Sequence, residues 1–493
     1  MSQTTLVVRP DEPIGTISPR LYGHFAEHLG RCCYGGLWSG DRFRADVVAA
    51  LRELPVPLLR WPGGCYADHY HWRDGIGPAN TRPRRLGMSC GEQVEDDNSV
   101  GTHEFLNLCQ TIGAEPYLAG NVGSGTPQEM CDWLEYCNSR SDTTLTRERR
   151  ANGAEQPFGV SLWGVGNENW GCGGNFDPVS YGHEYRRFAT MLRHVDPSAE
   201  LVACGLDDAW NERLLEVLGK AGGVGGGGGM GKLIDHLSIH RYWGHGGPAV
   251  DFTDTDYYSL LGEAHATEAF VVRTAELIRA AMPPGRRVGV ALDEWGVWHP
   301  EARLQPQDCA DCPQHSFEQR STLRDALAAG VALEGFVRQC NVLSMANLAQ
   351  VVNVLQAVVV TDGPRMFRTP TYYALQLHAP HMGATALPVD VISGDALPDS
   401  APAVSGIASR SPAGLAVTLV NRHRHAVADV CLVLGGAFAS AFADVLTADS
   451  PAALNSVHQP ERVVPRRLAV TSEGRTACRL ELPQHSMATL RLA

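Results

Sequence analysis

The sequence predicts an α/β protein: a (β/α)8 TIM barrel followed by an appended C-terminal antiparallel β-sandwich of jelly-roll type. Three observations carry this. Short apolar runs alternate with helix-length segments from about residue 20 to about residue 350. Two of those runs, Leu162–Val165 and Val288–Leu292, lead directly into carboxylates, Glu168 and Glu294. Barrel strands place catalytic groups at that end. After Met382 no helical period remains, and the chain turns to short strands separated by turn residues.

Taken in order, Thr4–Val8 reads as a lone strand, and Pro10, Pro13 and Pro19 break the chain before Leu21–Phe25. Asp46–Leu54 fits a short helix stopped by Pro55 and Pro57, and Leu58–Trp61 is the next strand. Phe105, Leu108, Cys109 and Ile112 recur at helical spacing, with Thr102 as a candidate cap. Glu115–Ala119, Leu162–Val165, Leu201–Cys204, Leu237–His240, Val288–Leu292 and Val342–Ala346 complete the eight strands. Helices are expected over Pro127–Tyr136, Val179–Val195, Asp208–Leu218, Glu263–Ala281 and Phe317–Gln339. The sandwich strands are Leu415–Val420, Ala428–Val433, Arg467–Thr471, Ala477–Leu482 and Ala488–Leu492. The expected division is 1–17 as an N-terminal strand pairing with the sandwich, 18–381 as the barrel and 382–493 as the sandwich.

Composition excludes several classes. With 493 residues and 44% hydrophobic content the chain can bury a large core. A net charge of −13 and the absence of any Lys/Arg-rich run argue against a nucleic-acid partner. Lys occurs only at 220 and 232, a compositional bias with Arg carrying the positive charge. No run of apolar residues is long enough to span a bilayer, and the first residues lack a basic-then-apolar export pattern. A cytoplasmic protein with mostly reduced thiols is therefore expected, despite 14 Cys. Cys309-Ala-Asp-Cys312 has no second pair at zinc spacing and reads as loop packing. The glycine-dense stretch Gly222–Gly231 lacks the Gly-Lys-Ser/Thr ending of a phosphate loop and reads as a surface loop.

Two carboxylates on strand ends of one barrel suggest glycoside hydrolysis. The retaining route needs two carboxyl groups about 5–5.5 Å apart, one attacking the anomeric carbon and one protonating the leaving oxygen. The charge of the unreacted nucleophile keeps such a donor protonated. A single Glu is most often a solvated surface charge. Glu168, between Asn167 and Asn169, and Glu294, between Asp293 and Trp295, each close an apolar strand, which is a less typical setting for such a charge.

Several longer motifs sharpen this reading. Gly23-His-Phe-Ala-Glu-His-Leu-Gly-Arg31, Arg60-Trp-Pro-Gly-Gly64, His71-Trp-Arg-Asp-Gly-Ile-Gly-Pro78, Gly101-Thr-His-Glu-Phe105, Gly164-Val-Gly-Asn-Glu-Asn-Trp170, His240-Arg-Tyr242, Asp293-Glu-Trp295 and Asn353-Val-Leu-Gln356 occur in that order. Together they resemble the α-L-arabinofuranosidases of glycoside hydrolase family 51. The resemblance implies a retaining exo-enzyme releasing terminal α-L-arabinofuranose from arabinan or arabinoxylan oligosaccharides, with Glu168 as acid/base and Glu294 as nucleophile. It further implies that Asn167, Glu27 and Gln356 bind sugar hydroxyls, that Tyr242 orients Glu294 and that His240 lines the same wall. Trp298 is a candidate wall of the pocket mouth, with simple packing as the plainer reading of an aromatic. For Glu27 the plainer reading is an ion pair with Arg31.

One position departs from the family pattern. Where members carry Asn after Pro-Gly-Gly, this chain has Cys65, a weaker hydrogen-bonding group. Asp68, His69 and His71 are candidates to replace the lost hydroxyl contact. No cofactor and no metal ligand set is expected, because two carboxylates and water complete the chemistry. The resemblance also implies a homo-oligomer, often a hexamer. The rival readings are a β-xylosidase, a furanosidase of other specificity or an endo-glucanase on the same scaffold, and, more remotely, a non-catalytic sugar-binding protein.

Overall fold

Eight parallel strands close into a barrel: Gly23–Phe25, Leu58–Trp61, Glu115–Gly120, Leu162–Val165, Glu200–Cys204, His236–Trp243, Gly289–Val297 and Leu343–Ala349. The eighth returns to the first, with Asn347, Leu348 and Ala349 opposite Gly23, His24 and Phe25. This is a computed structural model, and it describes residues 3–219, 233–303, 315–398 and 400–493. The stretches Gly222–Gly231 and Cys309–Cys312 lie outside the described residues.

The apolar runs close into a barrel because each has residues for both faces. Leu58, Tyr117, Leu162, Val202, Ala291 and Met345, from six different strands, form a buried layer inside it. Alternate residues such as Leu59, Trp163 and Leu292 face outward into the shell of helices. A filled interior leaves only the carboxyl ends of the strands for chemistry, and Glu168 and Glu294 are at that end.

Two helices begin away from their expected starts. The helix expected from Glu263 runs over Asp254–Ala281. Thr253 Oγ1 accepts from the Asp256 amide, and Asp256 accepts from the Thr253 amide, so the cap lies well before the expected start. The helix expected from Phe317 spans Leu323–Arg338, where Asp325 accepts from the Thr322 amide. Thr102 is the first helical residue rather than the cap, and Glu104 accepts from the Gly101 amide before it.

Leu323–Arg338 is buried all round except at Arg338, since the barrel covers one side and the sandwich the other. Gly330 permits the close approach: a β-carbon there would stand 2.7 Å from Met487 Sδ. Glu334, fully buried on this helix, faces Ser405 Oγ at 2.7 Å and Arg422 at 3.7 Å from the sandwich.

The sandwich has a seven-stranded and a five-stranded sheet. Gln3–Val8 joins the smaller one, antiparallel to Val389–Ser393 but parallel to Ala428–Val433. That parallel pair departs from the all-antiparallel expectation. No hairpin fixes the direction of a strand that enters from before the barrel. Val404–Ser411 and Ala441–Leu446 are strands absent from the expected set. Arg467–Thr471 proves to be two strands, Arg466–Leu468 in one sheet and Thr471–Glu473 in the other. Among the described residues no helix is long and apolar enough to cross a membrane.

Candidate active site

Glu294 sits within the seventh barrel strand, which continues to Val297 instead of stopping at Leu292. Register with the eighth strand shifts between Leu292 and Trp295. Asp293 and Glu294 therefore diverge in fate. Asp293 accepts from Tyr117 at 2.7 Å and Asn347 at 3.0 Å inside the barrel. Glu294 instead reaches the cavity at the strand ends. Its Oε1 accepts from Arg60 Nη1 at 2.9 Å, and its Oε2 accepts from the Tyr242 hydroxyl at 2.8 Å. Burial by itself raises the pKa of this carboxyl, but the His240 and Arg60 charges and these hydrogen bonds outweigh it and hold the group below the usual carboxylate range.

Glu168 stands three residues beyond the fourth strand, on the turn after Gly166. Its Oε1 pairs with His240 Nδ1 at 2.7 Å, and the same nitrogen lies 3.5 Å from Glu294 Oε2. The imidazole thus bridges the two carboxylates, and facing atoms of Glu168, His240 and Glu294 all lie within 4.8 Å of one another. Burial pushes the His240 pKa down, but Glu294 and Glu168 overcome that and raise it. Asn167 accepts from Arg60 through Oδ1, while its buried Nδ2 has no partner among the described residues.

The cavity, about 550 Å³, is lined by both carboxylates together with Glu27, Asn167, Tyr242 and Trp298. Glu27 is fixed by three donors: Ser89 Oγ at 2.6 Å, the Tyr66 amide at 3.1 Å and Gln350 Nε2 at 3.0 Å. Arg31 pairs with Glu318 at 2.7 Å, so the plainer Glu27–Arg31 reading does not hold. Burial first, and the charge of Glu294 second, lift the Glu27 pKa to about 7. Trp298 meets Tyr242 edge-on at 5.1 Å.

Comparison with known proteins gives this geometry a family. Residues 50–243 match the family described as Alpha-L-arabinofuranosidase 1 domain, and residues 293–486 match the Alpha-L-arabinofuranosidase C-terminal domain. The chain is 37% identical to an intracellular exo-alpha-L-arabinofuranosidase of Bacteroides ovatus, over 99% of this chain and 95% of that one. The chain belongs to the α-L-arabinofuranosidases of glycoside hydrolase family 51. An alpha-L-arabinofuranosidase C of Emericella nidulans is 36% identical over 76% of this chain and 74% of its own. The family 51 arabinofuranosidase of Xanthomonas axonopodis pv. citri superposes with a TM-score of 0.90 at 34% identity, covering 100% of both chains. An arabinose complex of the Thermotoga maritima enzyme gives 0.86 at 30% identity over 99% of each.

Two expected sugar ligands of this arabinofuranosidase need correction. Gln356 lies outside the cavity lining, and its amide is fully committed. It accepts from the Val297 amide and donates to Asp325 O and Thr371 Oγ1. Gln350, earlier on the same loop, is the amide at the cavity. Cys65 does line the cavity, but it is bonded to Cys172, so it offers no thiol hydrogen to a sugar. The expectation of reduced thiols fails for this pair, while ten cysteines among the described residues are free. Proximity brought by the fold decides this, as the two sulfurs are 107 residues apart in sequence.

Nor do the neighbours of Cys65 replace the missing hydroxyl contact. Asp68 is buried, accepting from the Val122 and Gly123 amides at 3.0 and 2.8 Å. His71 pairs with Glu129 at 2.9 Å, and His69 is not among the cavity-lining residues.

Sequence reasoning gave no role to Arg60, Ser89, Gln350 or Cys172. Arg60 had a visible signal: a charge inside the apolar run Leu-Leu-Arg-Trp must find a buried partner. Ser89 is delivered by a hairpin, Arg85–Ser89 with Glu92–Asp96, turning at Cys90-Gly91. Its strands are largely exposed, and the alternating Leu86 and Met88 point to solvent instead of to the core, so the pattern does not announce a core-packed element.

Proposed function

We propose that this family 51 arabinofuranosidase is a retaining, exo-acting enzyme in which Glu294 is the nucleophile and Glu168 the acid/base. The observation that carries this reading is the approach of the two carboxylates to within 4.8 Å, oxygen to oxygen, across His240. Retaining pairs stand about 5–5.5 Å apart, whereas inverting pairs leave about 6.5–9.5 Å for a water. Their surroundings also differ in the required sense. Glu294 is kept ionised by Arg60 and Tyr242, as an attacking group must be. Glu168 shares one oxygen with His240 and touches no guanidinium among the described residues.

In the first step Glu294 forms an ester to the anomeric carbon as the glycosidic bond breaks, and the Glu168 proton goes to the departing oxygen. In the second a water attacks the same carbon, its proton passes to Glu168, and Glu294 leaves as a carboxylate. The free Nδ2 of Asn167 is aimed at the hydroxyl beside the reacting carbon, and Glu27 with Gln350 receives the others. Trp298 forms the mouth.

The substrate class in this reading is a terminal α-L-arabinofuranose on arabinan or arabinoxylan oligosaccharides. The exo and intracellular designations of the Bacteroides ovatus relative support exo action in the cytoplasm.

Azide separates the two roles. Added to Glu168→Ala, it should trap the glycosyl-enzyme as the α-azide; added to Glu294→Ala, it should give the β-azide. The reverse pairing sinks the assignment. Among aryl α-L-arabinofuranoside, β-D-xylopyranoside, β-D-galactofuranoside and β-D-cellobioside, preference for any but the first overturns the substrate reading.

A further inference from the structure

Glu168 is held less by its own strand than by the turn on its C-terminal side. Its φ of 42° lies in the left-handed region, where a residue bearing a β-carbon is strained. The turn is closed by the amides of Gly171 and Cys172, which donate to the Glu168 carbonyl at 2.7 and 2.9 Å. Cys172 is bonded to Cys65. Cys65 stands between Gly64, where a β-carbon would come within 2.8 Å of the Glu27 carboxylate, and Tyr66, whose amide donates to that carboxylate. A continuous framework therefore runs from Glu27, through the disulfide, to the turn that presents Glu168.

The second observation concerns the carboxyl itself. Glu168 Oε1 is engaged by His240, while Oε2 faces Cys172 Sγ at 3.5 Å. A disulfide sulfur has no hydrogen to donate, so Oε2 stays open toward the cavity.

We propose that the Cys65–Cys172 disulfide is a positioning element for the acid/base carboxyl, so that reducing it weakens protonation of the leaving group far more than attack by Glu294. This rests on the roles assigned above. A dithiol reductant supplies the two electrons: the Sγ–Sγ bond breaks, each sulfur takes a hydrogen, and the reductant closes its own cyclic disulfide. Two things then change. The strained turn at Glu168 loses its tether, and the new Cys172 thiol becomes a donor beside Oε2, occupying the oxygen needed by the leaving group. Glu294 keeps Arg60 and Tyr242, which belong to other strands.

The readout is leaving-group dependence, which a general loss of structure does not produce. Dinitrophenolate departs without a proton, whereas methoxide requires one. Peptide mapping of the enzyme under non-reducing conditions should recover a Cys65–Cys172 cross-link, and finding two free thiols overturns the proposal. Treating the wild-type enzyme with dithiothreitol should lower kcat/KM for methyl α-L-arabinofuranoside at least about tenfold more than for the dinitrophenyl glycoside. Cys172→Ala should show the same bias and no response to dithiothreitol, with circular dichroism confirming its fold; should it fail to fold, the wild-type comparison stands alone. Equal losses on both substrates, or no loss on either, overturn the proposal. Glu168→Ala is the internal reference: absence of a steep leaving-group bias there defeats the acid/base assignment itself, whereas bias there without bias on reduction defeats only the disulfide's role.

Discussion

Tyr242 donates its phenolic hydrogen to Glu294 Oε2 at 2.8 Å, while Arg60 takes Oε1 at 2.9 Å. The two donors reach the carboxylate from the sixth and second barrel strands, so closure of the barrel is what aims it. Loss of Tyr242 therefore loosens one oxygen and leaves the other fixed.

Tyr242→Phe should lower kcat/KM by roughly 10- to 100-fold, from the loss of a hydrogen bond to a charged group worth about 1.5–3 kcal/mol. It should also move the acid limb of the pH profile. In the wild-type enzyme the Glu294 pKa is depressed, so with Glu294 as the proposed nucleophile activity should persist as pH falls until that group protonates. Removing a bond to the ionised form raises the pKa, and the limb shifts to higher pH. Kinetics of a nitrophenyl arabinofuranoside across the acid range measures both effects. A full-rate variant with an unmoved limb refutes the orienting role.

Glu27 offers a stability test of the opposite sign. Its folded pKa of about 7 exceeds the ordinary 4.5, with burial as the main cause and Glu294 next. Between those values the native state binds more protons than the unfolded one, so stability falls as pH rises. Carried across that window the penalty is about 3 kcal/mol. Glu27→Gln should flatten this part of the curve, as followed by urea midpoints over the same pH range. It should also weaken sugar binding, since Glu27 lines the cavity. A variant whose midpoints decline with pH as steeply as those of the wild type contradicts this account.

These residues also mark what the sequence could reveal. Glu168, Glu294 and the barrel were legible because a parallel strand announces itself as an apolar run, and a carboxylate just after one is conspicuous. The family motifs then supplied roles that spacing alone does not. Gln350 was hidden behind Gln356, because both come after the same strand and only the loop path decides which amide faces the cavity. Cys172 was hidden because a disulfide is a fact of three-dimensional proximity, and its partner lies on a different barrel loop. In the sandwich, Val404–Ser411 escaped because Ser, Gly and Ala occupy positions where β-branched residues would signal a strand.

The seam between the two domains supplies the last test. Glu334 is fully buried on helix Leu323–Arg338, and Arg422 of the sandwich comes within 3.7 Å of it while donating to Ser405 at 2.9 Å. Burial raises the Glu334 pKa against the pull of Arg422 and Arg338. Removing Arg422 leaves Glu334 only the partly exposed Arg338, 3.9 Å away, as a compensating charge, at a cost of up to about 3–5 kcal/mol. Arg422→Met should therefore lower the thermal midpoint, whereas Arg422→Met with Glu334→Leu should recover much of the loss, because two apolar groups of similar size fill the seam without a stranded charge. Calorimetry of these two variants and of Glu334→Leu alone decides it. If the double substitution is as unstable as the single one plus an independent loss at Glu334, the pair does not act as a unit and packing around Gly330 and Met487 holds the domains together instead.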